Sequence, residues 1–90
     1  MGGQHVQHLG MTLLYLYMTD GCHLCDEAEA FLRTVTAYRP VRWQPRDVMD
    51  DPEWLAAYGE RLPVLADGQG RSLDWPFDAS DLLQFLEQSA

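Results

Sequence analysis

Basic residues are scarce in this 90-residue chain. Six Lys and Arg stand against fourteen Asp and Glu, a formal net charge of -8 at pH 7. Nucleic-acid binding needs cations to displace phosphate counterions, so the composition argues against a nucleic-acid partner and equally against an anionic membrane surface. Long apolar runs are also lacking. The longest candidate, Leu13 to Met18, is far too short for a transmembrane helix and too short for a signal-peptide core, and no Lys or Arg precedes it. No membrane association and a cytoplasmic location are therefore expected. Repeats, linkers and low-complexity blocks are absent as well, so the chain reads as one small domain. Cysteine is limited to Cys22 and Cys25. In a reducing cytosol such a close pair is better suited to catalysis or metal binding than to a structural bridge.

Nearly half of the residues are apolar, 47%, which is enough for a core without staples. Residues 1–11, MGGQHVQHLGM, are polar and aperiodic and read as a flexible leader, with the domain proper at 12–90. Thr12 to Met18 is a continuous apolar and aromatic run that suits a strand buried on both faces. Thr19-Asp20-Gly21 breaks it. Leu24, Ala28, Phe31 and Val35, with Leu32 alongside, then recur at helical spacing, until Pro40 forbids continuation. Val41 and Trp43 alternate with polar neighbours as a second strand, interrupted by Pro45, which belongs on an edge or a bulge. Asp51 can cap a helix with Pro52 in its first turn and Gly59 at its end. Two short apolar segments flank the Gly-rich turn of LPVLADGQGRSLDW and predict a hairpin. Asp78 can cap a last helix whose inward stripe is Leu82, Leu83 and Leu86. The order β-α-β-α-β-β-α predicts an α/β sandwich with a mixed four-stranded sheet, because the first βαβ unit needs a parallel pair with a right-handed crossover.

The cysteines fall where the first strand ends and the first helix begins. A helix N-terminus exposes unpaired N–H groups and a partial positive charge that stabilise a thiolate, the nucleophile of disulfide exchange. Cys22 is thus the candidate nucleophile. Two intervening residues bring Cys25 round the first turn, where it can attack a mixed disulfide at Cys22 and release the reduced product. His23, if protonated, would favour the thiolate. Asp20, Asp26 and Glu27 would oppose it, since carboxylates sharing that helix end repel a second anion.

With GCHLC and RLPVL as its two anchors, the sequence resembles the glutaredoxins, and more closely a glutaredoxin-like family of small bacterial proteins within the thioredoxin-like superfamily. The resemblance spans about residues 12–88. It implies a thioredoxin-like fold and a thiol–disulfide oxidoreductase acting in cell redox homeostasis, with Cys22 attacking and Cys25 resolving. It also implies a cis peptide before Pro63, beside the active site, and a backbone at Leu62 that meets an extended substrate. Substrate-binding residues would then be His23, Leu62 and Pro63. No prosthetic group is implied, the partners are protein or small-molecule disulfides, and a monomer is expected. The sequence departs from glutaredoxins in having Thr19 and Asp20 where a basic residue usually precedes the cysteines. The Gly-Gly turn near the last helix is replaced by LDWPFDASDL, where Asp81 alone matches the acidic residue that holds glutathione. Glutathione is therefore expected to serve at most as a weak reductant.

A second reading is a non-catalytic domain that binds a metal or a protein partner. His5 and His8, with Cys22 and Cys25, supply four ligands for tetrahedral zinc, and the resemblance to glutaredoxins implies as a further alternative a bridging iron–sulfur cluster held by one cysteine from each of two chains with glutathione. The length of the first strand, about 23 Å for seven residues, separates the histidines from the cysteines and argues against the zinc site. Trp75-Pro76-Phe77 is a bulky apolar turn able to present a small patch to a partner.

Overall fold

The computed structural model describes residues 12–89. The expected leader, with His5 and His8, lies outside the described residues. Four strands form one sheet in the order β2-β1-β3-β4: β1 is Leu13–Met18, β2 Arg42–Asp47, β3 Val64–Ala66 and β4 Ser72–Asp74. The helices are α1 (His23–Thr36), α2 (Pro52–Tyr58) and α3 (Ala79–Ser89), with a short 3-10 turn at Val48–Asp50. β1 pairs with β2 in parallel, from Leu13 opposite Arg42 to Met18 opposite Asp47. It pairs antiparallel with β3, which pairs antiparallel with β4. This is the mixed four-stranded thioredoxin-like sandwich that the sequence predicts.

The two-residue alternation of β1 sorts its side chains to opposite faces. Leu14 and Leu16 join Leu65 on one face, under Ala28 and Leu32 of α1 and Leu82 and Phe85 of α3. Tyr15 and Tyr17 turn to the other face with Val64 and Ala66, against Val48, Trp54 and Tyr58. Apolar burial on both sides of one central strand holds the layers together, at about 25 cal/mol for each Å² removed from water.

Three expectations are corrected. The inward line of α1 is Cys25, Ala28 and Leu32, all at 0% exposure, whereas Leu24 is 49% exposed. Leu24 lies about 100° from Cys25 around the helix, which turns it away from the sheet that covers the cysteine. The second correction concerns β2, which does not stop at Pro45 but runs on to Asp47. β2 is an outer strand, where a missing N–H leaves the sheet intact. In α3 the buried pair is Leu82 and Phe85, while Leu83 and Leu86 are half-buried. Phe85 is three residues on from Leu82, so it takes the inward place that the leucines alone suggested for Leu86.

The caps follow the sequence closely. The Asp51 side chain accepts from the Glu53 N–H at 2.9 Å ahead of Pro52. Asp78 accepts from the Asp81 N–H at 2.8 Å, and Asp81 reciprocates from the Asp78 N–H at 3.0 Å, a capping box. In the hairpin turn Gly68 and Gly70 have φ of +77° and +93°, a region that favours glycine. Asp67, only 7% exposed, closes that turn by accepting from the N–H groups of Gln69 (2.8 Å) and Arg71 (3.2 Å).

Candidate active site at the end of the central strand

The chain leaves β1 at Met18 and reverses at Gly21, whose φ of +77° suits glycine. Thr19 donates its hydroxyl to Asp47 Oδ1 at 3.0 Å, tying this turn to the end of β2. Asp47 also accepts from the Met49 N–H at 2.9 Å. The reversal delivers Cys22 in extended conformation (φ -98°, ψ 106°) as the N-cap residue of α1. Its sulfur accepts from the Cys25 N–H at 3.2 Å, and its carbonyl accepts from the Asp26 N–H at 3.1 Å. Here Sγ takes the part that a Ser or Asp oxygen usually plays at a helix start, satisfying one of the orphan donors of the first turn.

Cys22 and Cys25 form a disulfide with their Cα atoms 5.2 Å apart. They are not equivalent. Cys25 is completely buried on the inward line of α1, while Cys22 is half-buried at the rim. Cys25 is closed to an incoming molecule, whereas the Cys22 residue is partly open to solvent.

His23 is placed at the first position of α1 with its side chain 87% exposed. Nε2 lies 3.0 Å from Glu27 Oε2, one helical turn on, and Glu27 is the polar partner of His23 among the described residues. The Leu62–Pro63 peptide is cis. Pro63 immediately precedes Val64, the partner of Tyr17, so the register sets Pro63 beside Met18, at the same end of the sheet as the cysteine turn. Pro63 is buried and its carbonyl accepts from the Trp75 N–H at 3.4 Å, while Leu62 is half-buried against the Tyr17 and Val64 cluster. Arg61 reaches across to Asp74 Oδ1 at 2.8 Å and lies over the Tyr58 ring at 5.5 Å, clipping the segment before Leu62 to β4. The structure thus brings Cys22, Cys25, Leu62 and Pro63 to one end of the sheet, with His23 directed at Glu27.

The aromatic turn does not behave as the sequence suggests. Phe77 is 5% exposed, packed edge-on against Phe31 and Trp75 at 5.8 and 5.0 Å, so it belongs to the core rather than to a surface patch. Asp81 is engaged in the capping box. Sequence reasoning missed the Thr19–Asp47 clamp, the buried Asp67, and Arg46, whose guanidinium packs 3.7 Å over Tyr15 and 4.7 Å from Trp54 while donating to Tyr17 Oη at 3.0 Å. Only Asp67 had a visible signal, an Asp before Gly at a hairpin turn. Burial pushes its carboxyl up, but the N–H groups of Gln69 and Arg71 and the Arg71 charge outweigh this and hold it below the usual carboxylate range. Among the described residues no group of three or more His, Cys, Asp or Glu could hold a metal ion, and no helix is long and apolar enough to cross a membrane.

Residues 13–87 match the family model described as "Glutaredoxin-like domain (DUF836)". The chain belongs to this family. Its solved structural neighbours agree. The X-ray structure of the structural-genomics target XcR50 from X. campestris is 44% identical, with a TM-score of 0.68 over 83% of this chain and 96% of that one. The solution structure of Ne2328 from Nitrosomonas europaea is 25% identical, with a TM-score of 0.69 over 82% and 89%. Thioredoxin 1 from Thermosipho africanus TCF52B, at 16% identity and a TM-score of 0.59 over 84% and 91%, shares the fold. No curated protein matches. A glutaredoxin-like domain with its paired cysteines joined as a disulfide supports a redox function in general.

Proposed function

We propose that this glutaredoxin-like domain is a thiol–disulfide oxidoreductase acting on protein or small-molecule disulfides in cell redox homeostasis. In the reduced form the Cys22 thiolate attacks one sulfur of the substrate disulfide. A Cys22–substrate bond forms, the substrate S–S bond breaks, and the leaving thiolate takes up a proton. Cys25, as thiolate, then attacks Cys22 Sγ, the second substrate thiol departs, and the protein holds the Cys22–Cys25 disulfide. Two electrons pass from the dithiol to the substrate. A thiol or dithiol reductant returns them, with glutathione a weak one because Asp81 is committed to its cap. Leu62 and Pro63 line the groove for an extended substrate, and His23 stands at its rim.

The observation that carries this reading is the unequal exposure of the pair, Cys22 at the rim and Cys25 at 0%. A nucleophile must be reachable, and a resolving thiol gains from being shielded until the mixed disulfide forms. The test is a pair of variants in an insulin- or small-disulfide-reduction assay. Cys22→Ser is expected to abolish turnover, and Cys25→Ser to accumulate mixed disulfides visible by mass spectrometry. Alkylation of Cys25 ahead of Cys22 in the reduced wild type would reverse the assignment.

A further inference from the structure

Resting on the oxidoreductase reading above, we propose that the dithiol surface selects cationic disulfides, such as cystines flanked by Lys or Arg, over neutral and anionic ones. Three exposed carboxylates flank Cys22 along the chain: Asp20 two residues before it, and Asp26 and Glu27 in and just beyond the first turn of α1. Asp50, also exposed, follows the end of β2, which the Thr19–Asp47 bond ties to the same turn.

Among the described residues no arginine balances them, and the His23 imidazole meets Glu27 alone. The chain has six arginines and no lysine, and each arginine is accounted for. Arg33 pairs with Glu29 in the last turn of α1, about 16 Å along the helix from the cysteine end. Arg39 and Arg42 lie by the start of β1, at the opposite end of the sheet. The Arg46 guanidinium is packed over Tyr15 and Trp54 and bonded to Tyr17. Arg61 is paired with Asp74, and Arg71, in the hairpin turn, with Gln88. His23 is engaged by Glu27. Between the cysteines the exposed side chain of Leu24 offers an apolar contact without charge. Among the described residues a substrate approaching Cys22 therefore meets an anionic rim with no arginine to offset it. Charge of one sign around a reaction centre raises the encounter rate of the opposite sign by tenfold or more, and salt removes the advantage.

The chemistry is the exchange written above, so the electron balance is unchanged and only the second-order rate of the first attack is selected. The test uses the reduced full chain with three small disulfides of like size: cystamine, bis(2-hydroxyethyl) disulfide and 3,3'-dithiodipropionate. Each rate is divided by that of the same disulfide with dithiothreitol, which removes intrinsic reactivity. The normalised cystamine rate is expected to exceed that of the dicarboxylate by about tenfold or more at 10 mM ionic strength and to fall within about twofold of it at 0.5 M. In Asp20→Asn/Asp26→Asn/Glu27→Gln the low-salt ratio is expected to drop to a few-fold. Equal normalised rates at low salt, or a triple variant that keeps the wild-type ratio, would overturn the inference while leaving the oxidoreductase reading intact. Failure to reduce any of the three disulfides would overturn that reading, and the inference with it.

Discussion

Replacing Asp67 by Asn tests how the turn between β3 and β4, at the far end of the sheet from the cysteines, is held. The carboxylate is almost wholly buried and closes the turn through two backbone N–H groups, at 2.8 and 3.2 Å. Asn keeps a side-chain oxygen for those donors and loses only the charge. Hydrogen bonds to a charged acceptor contribute about 1.5–3 kcal/mol against about 1 for neutral ones, so Asp67→Asn should cost about 1–2 kcal/mol at pH 7. That is a noticeable share of the 5–15 kcal/mol typical of a domain. The pH dependence has a definite sign. The folded carboxyl is held below its ordinary value. Its stabilisation is therefore fully present above the unfolded carboxylate value of about 3.9 and is lost as pH falls through the folded one. Once protonated, Asp67 resembles Asn. The gap between wild type and Asp67→Asn should shrink steadily from about pH 5 downward and close at the acid end. Urea unfolding of the oxidised protein followed by tryptophan fluorescence, at a series of pH values between 7 and 3, measures it. A gap that stays constant across the series, or a variant as stable as wild type at pH 7, would refute the assignment.

Phe77→Ala should destabilise the fold by about 3–5 kcal/mol, since it removes a buried ring that packs on both Phe31 and Trp75; thermal melts report this, and a loss under 1 kcal/mol would return the ring to the surface. Asp26→Asn and Glu27→Gln should each shift the pH midpoint of Cys22 alkylation downward, because a neutral first turn no longer repels the thiolate. An unchanged or raised midpoint in iodoacetamide rate profiles would contradict that balance of charges.

Signals confined to a few neighbouring residues were readable from the sequence. The apolar run of β1, the Asp51-Pro52 and Asp78 starts and the Gly-rich hairpin each carry their own local physics, and the structure has each of them. Matters of phase were harder. Leu24 and Cys25 are adjacent and both apolar in character, and only the position of α1 over the sheet decides that the cysteine turns inward. Phe85 is masked in the sequence by three leucines that make a complete stripe without it. At the site, the strand-to-helix junction is visible in the spacing of Cys22 and Cys25. The pairing of His23 with Glu27 follows from their i,i+4 spacing and gives the imidazole a carboxylate partner. The Thr19–Asp47 clamp joins residues 28 positions apart, so no local pattern announces it.

Pro45 has a bearing on how this sheet meets other chains. The outer edges of an open sheet are templates on which a foreign strand can extend the ladder. A molecule that binds extended, partly unfolded cystine-bearing segments would expose itself to that hazard at every encounter. β2 offers an incoming strand a gap in mid-edge, since proline has no N–H, with Arg42 and Arg46 on the same strand. The other outer strand, β4, is only three residues long and is crossed by Arg61 on its way to Asp74. Neither flank offers a long unbroken ladder, so in the exchange proposed above the loop before Val64 is the stretch left for a substrate backbone.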